Sequence, residues 1–146
     1  MDVVVVGSGA SGLVSAIEAS KTGCNVIVLE RLSDFGKKIL VTGNGKCNYW
    51  NNDFSNKHFY SSNTNFIKQV NTVENREEVM KFFNNIGIVP YIKNNYYYPM
   101  SMQASSIRNA LLNEAKMCGV KFVKDAFVTK VKKLNDKFYV DYKNGG

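Results

Sequence analysis

Apolar residues recur at two different periods in the first thirty positions of the chain. Residues 2–6, DVVVV, are apolar and β-branched after the first position, which predicts a strand buried on both faces of a parallel sheet. Residues 13–20 repeat apolar side chains at helical spacing, and residues 25–30, NVIVLE, form a second apolar run. The pattern therefore predicts a complete β-α-β unit and an α/β fold.

The pattern is less regular after residue 30. Residues 31–62 show no periodicity and are rich in Gly, Asn, Ser and Lys, which predicts a long functional loop. Helical spacing returns over about 64–71 and about 74–86. The apolar segments on either side of residues 93–95, KNN, predict a hairpin with Asn in its turn.

The last third of the chain predicts a helix and three strands. Ser101 is placed to N-cap the helix, and Gly119 is placed to end it. The strands are VKFV, FVTKVKKL and KFYVDYK, and the pair Asn135–Asp136 forms a hairpin turn between the last two. The sequence stops at Gly145–Gly146, where another turn is predicted, so we expect the chain to be a fragment of a longer protein.

Composition narrows the class of protein. The chain has 146 residues, of which 45% are hydrophobic and 21% charged, as in a globular domain. No apolar run approaches the ~20 residues that span a bilayer, and the chain begins without a signal peptide, so we expect a cytoplasmic protein without membrane contact. The cysteines Cys24, Cys47 and Cys118 include no C-x-x-C pair, which predicts reduced thiols and no metal site.

The net charge of +7 would suit a polyanionic partner. The lysines between residues 121 and 143, however, are spread through strand-like sequence and form no dense basic block. We interpret them as a solvated surface, so a nucleic-acid partner is not expected.

The loop between the first strand and the first helix, GSGASG, matches the dinucleotide-binding pattern G-x-G-x-x-G. Gly7 permits the tight turn, Gly9 lets the backbone approach a diphosphate, and Gly12 lets the helix pack closely on the strand. The helix N-terminus offers N–H groups to the phosphates, and Glu30, which ends the second strand, can accept hydrogen bonds from ribose hydroxyls. Because this carboxylate would repel a 2′-phosphate, the motif favours FAD or NAD over NADP.

A second glycine-rich loop, GKKILVTGNGKCNYW, occupies residues 36–50. It is not a P-loop, because Leu40 stands where the first glycine of that motif belongs and Cys47 where its Ser or Thr belongs. Its glycines let backbone amides come close to a ligand, Asn44 and Asn48 supply neutral hydrogen bonds, and its lysines supply positive charge. We therefore interpret this loop as a second contact with the same cofactor.

Four motifs together resemble those of the BaiN/YhiN-type flavoproteins. They are GSGASG, the strand-ending Glu30, GKKILVTGNGKCN and YYPMSMQASSI. These flavoproteins are a family of NAD(P)/FAD-dependent oxidoreductases also described as aminoacetone-oxidase-like. The resemblance covers essentially the whole chain, with Trp50 in place of the family's usual Thr. It implies a Rossmann-like FAD-binding fold of glutathione-reductase type, a parallel sheet joined by a β-meander. Residues 1–146 would then be the N-terminal part of a single FAD-binding domain, incomplete at its C-terminus and without the family's substrate and inserted domains.

The resemblance also implies an activity and a set of cofactor contacts. The activity is flavin-mediated hydride or electron transfer to or from a small-molecule substrate, with FAD as cofactor and NAD(P)H open as a co-substrate. Residues 42–48 would run along the cofactor toward the flavin, and the backbone of Val128 would meet the adenine. The expected cofactor-binding residues are Gly7, Gly9, Ala10, Ser11, Gly12, Glu30, Arg31, Lys38, Thr42, Gly43, Asn44, Gly45, Lys46, Cys47, Asn48 and Val128. No catalytic residue is assigned, and two alternative functions stay open: an NAD-binding dehydrogenase domain and a flavin-dependent nucleic-acid-associated protein.

Two residues with reactive side chains are interpreted as non-catalytic. Cys47 is a candidate redox-active thiol, but no second cysteine lies near it in sequence, and a packing role is favoured. His58, the only histidine, lies in a polar loop and is interpreted as a surface residue.

Overall fold

The structure is a computed structural model that describes residues 1–144. The strands in this range are Asp2–Val6 (β1), Asn25–Leu29 (β2), Trp50–Asn51 (β3), Pro90–Lys93 (β4), Tyr96–Pro99 (β5), Lys121–Val123 (β6), Ala126–Leu134 (β7) and Lys137–Asn144 (β8). The α-helices are Ala10–Lys21 (α1), Lys37–Leu40 (α2), Thr64–Val70 (α3), Val73–Asn85 (α4) and Ala104–Met117 (α5). The turn predicted at Gly145–Gly146 lies outside the described residues.

A parallel sheet with the strand order β1-β2-β6 is the centre of the fold. Val6 of β1 pairs with Leu29 of β2, and Leu29 pairs with Val123 of β6, so the three strands end at the same edge. The chain crosses from β1 to β2 through α1 and enters β6 from α5, as parallel pairing requires. The predicted β-α-β unit and the α/β class are therefore confirmed.

Helices α1 and α5 pack together on one face of this sheet and form most of the core. Leu13, Ala16 and Ile17 of α1 and Leu111 and Ala115 of α5 are almost fully buried. Their spacing of three or four residues brings them to one side of each helix. Burying a Leu or Ile side chain of this kind contributes about 1.5–3 kcal/mol, which stabilises both helices against the sheet.

The prediction that β1 is buried on both faces is wrong. Val3 and Val5 are half-buried against the core, whereas Val4 and Val6 are 42% and 57% exposed. β1 is an edge strand within the described sheet, and its side chains point alternately to opposite faces. Only the face that carries Val3 and Val5 packs against the core, so its other face stays accessible.

Two other local predictions need correction. The segment 31–62 is not wholly a loop, because it contains α2 and also β3, which pairs with β5. The N–H of Tyr49 donates to the carbonyl of Tyr97 at 3.0 Å and ties this segment to the second sheet. Ser101 is not the N-cap of α5, since the helix begins after Gln103, and the Ser101 hydroxyl instead accepts the N–H of Gln103 at 3.2 Å.

The predicted hairpins and the two middle helices are confirmed. The turn residues Asn94 and Asn95, with φ of 49° and 68°, connect β4 to β5, and Asn135 and Asp136, with φ of 48° and 61°, connect β7 to β8. Positive φ at both positions is what a two-residue hairpin turn of this kind requires. The β7–β8 hairpin is the described part of the predicted meander, whereas β6 joins the parallel sheet. No helix within residues 1–144 combines the length and the apolar character needed to cross a membrane.

Candidate functional site

A cleft opens where the parallel strands end. The N–H of Gly7 donates to the carbonyl of Leu29, that of Glu30 to Val123, and that of Ala126 to Glu30, each at 2.8 Å. These bonds hold the loop after β1, the end of β2 and the start of β7 side by side. The space between them, called here the strand-end cleft, has a volume of about 540 Å³. Small-molecule sites in proteins have this size, and in parallel sheets they lie at this edge.

The strand-end cleft brings together residues that are far apart in sequence. Its walls include six of the residues predicted to bind the cofactor: Gly7, Gly9, Glu30, Arg31, Lys38 and Val128. Ser8 and Lys37 also line it. The sequence prediction that the glycine motif, the strand-ending acid and the strand β7 share one site is consistent with this placement.

Glu30 is a buried carboxylate held in place by hydrogen bonds. Its Oε2 accepts the N–H of Ser8 at 2.8 Å and the Ser8 hydroxyl at 2.6 Å, and its Oε1 accepts the N–H of Leu32 at 3.0 Å. Burial by itself would raise the pKa of Glu30, but these hydrogen bonds and the charge of Arg31 outweigh that effect and lower the pKa below its ordinary value. Glu30 is therefore ionised at neutral pH.

Ser8 links the two glycine-rich loops and was not among the predicted site residues. Its hydroxyl oxygen accepts the N–H of Gly36, the first residue of the second loop, at 3.1 Å, while its proton is donated to Glu30. The glycine motif treats this position as variable, so the pattern alone does not identify it. The available signal was a hydroxyl residue directly after Gly7 in a sequence where the neighbouring strand ends in an acid.

The three motif glycines meet different physical demands. Gly7 has a φ of +92°, which side-chain-bearing residues rarely adopt. A Cβ added to Gly12 would lie 2.1 Å from the carbonyl oxygen of Gly7, so any side chain there would collide with backbone. Gly9 has an ordinary φ of −69°, and a Cβ there would meet no atom within 4 Å. Nothing in the described chain itself therefore requires glycine at position 9.

Helix α1 begins directly after Gly9 without a side-chain cap. Its N-cap residue is Gly9, and no side chain in the described part of the chain accepts a hydrogen bond at this helix end. The first N–H groups of an α-helix have no partner within the helix and carry a partial positive charge. Such an end is suited to an anionic ligand in the adjacent cleft.

A second cavity adjoins the strand-end cleft. It is called here the inner pocket, has a volume of about 320 Å³, and shares the lining residues Gly9 and Lys38 with the cleft. Four further predicted residues line it: Ala10, Thr42, Cys47 and Asn48. The second glycine-rich loop therefore lies next to the first, as the sequence analysis expected.

Six predicted residues line neither cavity: Ser11, Gly12, Gly43, Asn44, Gly45 and Lys46. Four of the residues from 43 to 47 have a positive φ, and a Cβ on Gly43 would lie 2.8 Å from the backbone nitrogen of Asn48. The glycines of this stretch thus form the tight turn that returns the chain to the pocket. Lys46 is exposed on the turn.

Arg108 of α5 fixes the start of the second loop and was also not predicted. Its Nε donates to the carbonyl of Phe35 at 2.7 Å, and its Nη2 pairs with the Asp34 carboxylate. Gly36 has a φ of +69°, and a Cβ there would lie 2.9 Å from the Arg108 Cγ. The backbone conformation at position 36 therefore favours glycine, and a side chain there would displace the stem of Arg108.

The two reactive side chains weighed from the sequence lie in different surroundings. Cys47 is 7% exposed and belongs to the core cluster, and like Cys24 and Cys118 it is a free thiol. His58 is on the surface, as interpreted from the sequence, and its Nε2 lies 2.8 Å from Asp53 Oδ2. The hydrogen bond from His58 lowers the pKa of Asp53. His58 lines neither the strand-end cleft nor the inner pocket.

Comparison with known sequences gives one family and several curated relatives. The HI0933-like protein Rossmann domain matches residues 1–146. The chain is 34% identical over 119 residues to the 3-dehydro-bile acid delta(4,6)-reductase of Clostridium scindens, which covers 80% of this chain and 29% of the relative. It is 26% identical over 140 residues to the ribosomal RNA dihydrouridine synthase of Escherichia coli, which covers 96% of this chain and 35% of the relative. The chain spans about a third or less of the length of these relatives.

Solved structures share the fold at low sequence identity. The 3-ketosteroid-delta4-(5alpha)-dehydrogenase of Rhodococcus jostii matches with a TM-score of 0.66 at 17% identity, covering 94% of this chain and 42% of that one. Thermovibrio ammonificans THI4 matches with a TM-score of 0.60 at 18% identity, covering 95% of this chain and 45% of that one. These likenesses support the Rossmann-type fold. The family resemblance drawn from the motifs is confirmed, and the chain belongs to the HI0933-like protein Rossmann domain family.

Proposed function

We propose that the chain binds FAD and forms the dinucleotide-binding domain of an oxidoreductase. The observation that carries the proposal is that the strand-end cleft and the inner pocket share Gly9 and Lys38, so that one ligand with two halves can contact both glycine-rich loops. Membership of the family and the reduction named for the bile-acid relative support redox chemistry.

The residues of the strand-end cleft fit the ADP half of such a cofactor. Gly9 leaves free the volume that a Cβ would fill, next to the uncapped end of α1, and this suits close approach of a diphosphate. Lys38 adds a positive charge beside it. Glu30 uses three of the roughly four acceptor positions of a carboxylate within the protein, which leaves one for a ribose hydroxyl. We propose that the backbone of Val128, which also lines this cleft, contacts the adenine ring.

The chain's own residues bind and orient the cofactor and keep water from part of it. FAD, when bound, would supply the hydride or electron transfer. The inner pocket is lined largely by apolar side chains, among them Val14, Ile39 and Leu111, which would exclude water from the half that enters it. A small-molecule substrate is proposed, and NAD(P)H is a candidate co-substrate.

A visible absorption spectrum tests the proposal. The purified chain is incubated with excess FAD, free ligand is removed, and the spectrum is recorded for wild type, Gly9→Ala and Glu30→Gln. Retained flavin bands in wild type that are weaker in both variants are the expected result. The same experiment is repeated with NAD, and retained NAD is measured by equilibrium dialysis. A folded wild-type chain that retains NAD and no FAD would instead select the NAD-binding dehydrogenase alternative.

A second candidate function is association with RNA. It is favoured by two relatives named ribosomal RNA dihydrouridine synthase, from Haemophilus influenzae and Escherichia coli, and by the net charge of +7. A gel-shift titration with RNA over a range of salt concentrations tests it, because contacts with phosphates weaken steeply as salt rises. A shift no larger than that of a neutral control protein at low salt would remove this candidate. We also propose a cytoplasmic location, in keeping with the three free thiols among the described residues.

A further inference from the structure

The β7–β8 hairpin carries most of its lysines on one face. In an antiparallel pair, residues directly opposite each other share a face, and successive residues along a strand alternate between the two faces. A bulge between Val128 and Lys130 changes the register by one residue. The pairs on one face, called here the lysine face, are Phe127 with Lys143, Lys130 with Asp141, Lys132 with Tyr139, and Leu134 with Lys137. Four of the five lysines of the hairpin therefore lie on this face.

The opposite face of the hairpin is mainly apolar. It begins at Ala126, which is buried, and at Val128, which lines the strand-end cleft. The further apolar residues of this face are Val131, Phe138, Val140 and Tyr142. The lysine face carries four lysines and Asp141, a net charge of 4 − 1 = +3, whereas the opposite face carries Lys133 alone, a charge of +1. Lysines that are spread along the sequence thus form one patch in the fold.

The lysines of this patch are available to a partner. All four are exposed, and none of them forms an ion pair with another residue in the range 1–144. Lys130 and Lys132 lie two residues apart on β7, so their Cα atoms are about 7 Å apart. A row of lysines without acidic partners attracts a chain of phosphates, because binding releases the counterions condensed on that chain.

Two aromatic rings lie among these lysines. Phe127 is 51% exposed and Tyr139 is 52% exposed, and neither ring packs against another aromatic ring within the described residues. Their cross-strand partners are Lys143 and Lys132. Surfaces that combine positive charge with exposed rings bind single-stranded nucleic acids, since unpaired bases stack on the rings while lysines contact the phosphates. The lysine face has one aliphatic side chain, Leu134, which is too little apolar surface to favour a membrane.

We propose that the lysine face binds single-stranded RNA, with its lysines on the phosphates and with Phe127 and Tyr139 stacked on unpaired bases. The inference rests on the second candidate function, association with RNA, and assigns that association to a surface. It does not depend on FAD binding, because Tyr139 and the four lysines line neither the strand-end cleft nor the inner pocket.

The test measures binding of a fluorescently labelled single-stranded RNA of about 12 nucleotides by anisotropy over a range of salt concentrations. The lysine-face variant combines the substitutions Lys130→Gln, Lys132→Gln and Lys137→Gln. The matched control combines Lys68→Gln, Lys81→Gln and Lys93→Gln, which replace three exposed lysines outside the hairpin. Both variants have a net charge of 7 − 3 = +4, so a difference between them reports the position of the charges.

The lysine-face variant is expected to bind the RNA at least about tenfold more weakly than wild type at low salt. The slope of log Kd against log salt concentration should fall by about two, because each phosphate contact of a single strand contributes about 0.7 to it. The control variant is expected to stay within about threefold of wild type and to keep its slope.

A second pair of variants tests the aromatic contacts. Tyr139→Ala is compared with Phe138→Ala, since Phe138 is the next residue on the strand, lies on the opposite face and is 67% exposed. Tyr139→Ala should weaken RNA binding at least about fivefold without changing the salt slope, whereas Phe138→Ala should stay within about twofold of wild type. Circular dichroism shows whether both remain folded. If Tyr139→Ala unfolds, Tyr139→Leu replaces it, because leucine suits a strand but offers no ring.

Several results would overturn the inference while the second candidate function stands. They are equal losses of RNA affinity in the two triple variants, full affinity in Tyr139→Ala, and tighter binding of duplex RNA than of the single strand. The inference also fails if the lysine-face variant loses affinity for vesicles containing phosphatidylserine and not for RNA. A folded wild-type chain that does not bind the RNA at low salt removes the second candidate function together with this inference, and it leaves the FAD proposal untouched.

Discussion

The Ser8 hydroxyl donates a hydrogen bond of 2.6 Å to the Glu30 carboxylate across 22 residues of sequence. The same oxygen accepts the N–H of Gly36, so one serine joins the loop after β1, the end of β2 and the start of the second glycine-rich loop. A buried charge that is hydrogen-bonded in this way is stabilised, and its partners are held in a fixed arrangement. The two loops therefore form a single structural unit at the strand-end cleft.

Replacing Ser8 with Ala is expected to destabilise the unliganded chain. The change leaves the buried Glu30 carboxylate with one hydrogen bond fewer and the N–H of Gly36 without its acceptor. The free energy of unfolding should fall by roughly 1–3 kcal/mol, measured by urea denaturation. Ser106→Ala is the matched control, because among the described residues its hydroxyl contacts only that of Ser101, in an exposed hydrogen bond of 2.7 Å. Equal losses in the two variants would contradict a special role for Ser8.

The stability that Glu30 contributes should depend on pH in a defined direction. The pKa of Glu30 is lowered in the folded chain from an ordinary value of 4.5. A lowered pKa means that the folded state favours the charged form, so the contribution is complete above about pH 4.5 and is lost as the pH falls through the folded-state pKa. The difference in unfolding free energy between wild type and Glu30→Gln should therefore be constant near neutral pH and shrink in acid. If this difference in unfolding free energy grows as the pH falls, folding raises the pKa of Glu30 instead of lowering it.

Glu30 should also exclude ligands that carry a 2′-phosphate. The carboxylate is ionised and lies in the wall of the strand-end cleft, where a phosphate on the ribose would be repelled. We expect ADP to bind at least about tenfold more tightly than its 2′-phosphorylated analogue. Glu30→Gln should bind ADP more weakly, and the ratio between the dissociation constants of the 2′-phosphorylated analogue and ADP should be smaller than in wild type. Calorimetric titration of both ligands provides the four dissociation constants, and an unchanged ratio in the variant would contradict the assignment of Glu30 to the ribose.

Alanine at Gly9 and alanine at Gly12 should have opposite consequences. At Gly12 the new Cβ would lie 2.1 Å from the backbone oxygen of Gly7, so the helix must move away from the strand, and a loss of about 3 kcal/mol or more is expected. At Gly9 the Cβ meets no atom of residues 1–144 within 4 Å, so stability should change by less than about 0.5 kcal/mol while FAD affinity falls. Denaturant unfolding and FAD titration of the two variants test this pair. A strongly destabilised Gly9→Ala chain would mean that this glycine serves the fold and not a ligand.

Sequence reasoning predicted the parts of the fold that depend on local pattern. The β-α-β unit and the Asn-Asn and Asn-Asp turns follow from spacing within short segments, and all of them are confirmed. The same reasoning failed for β1, because a run of valines is compatible with a central strand and with an edge strand. Exposed Val4 and Val6 depend on which elements cover the sheet, and the run itself does not specify that.

The contacts that complete the site could not be predicted because they join distant segments. Ser8 meets Glu30, and Arg108 meets Phe35 over 73 residues, through pairings that only the folded chain creates. The Tyr49 hydroxyl is buried without a hydrogen-bond partner among residues 1–144 because of the packing around it, and the sequence pattern does not indicate this. The glycine motif and the strand-ending acid were recognisable because the geometry of nucleotide binding fixes their spacing.

If one dinucleotide contacts both glycine-rich loops, its binding should change the amide chemical shifts of both loops in the isotope-labelled chain. Spectra are recorded for the free protein, with saturating ADP and with saturating FAD. ADP is expected to shift the amides of residues 7–9 and Glu30, and FAD is expected to shift these and also the amides of Thr42 and residues 47–49. If FAD and ADP shift the same amides and residues 42–49 respond to neither, the second loop does not contact the cofactor and the proposed binding mode is wrong.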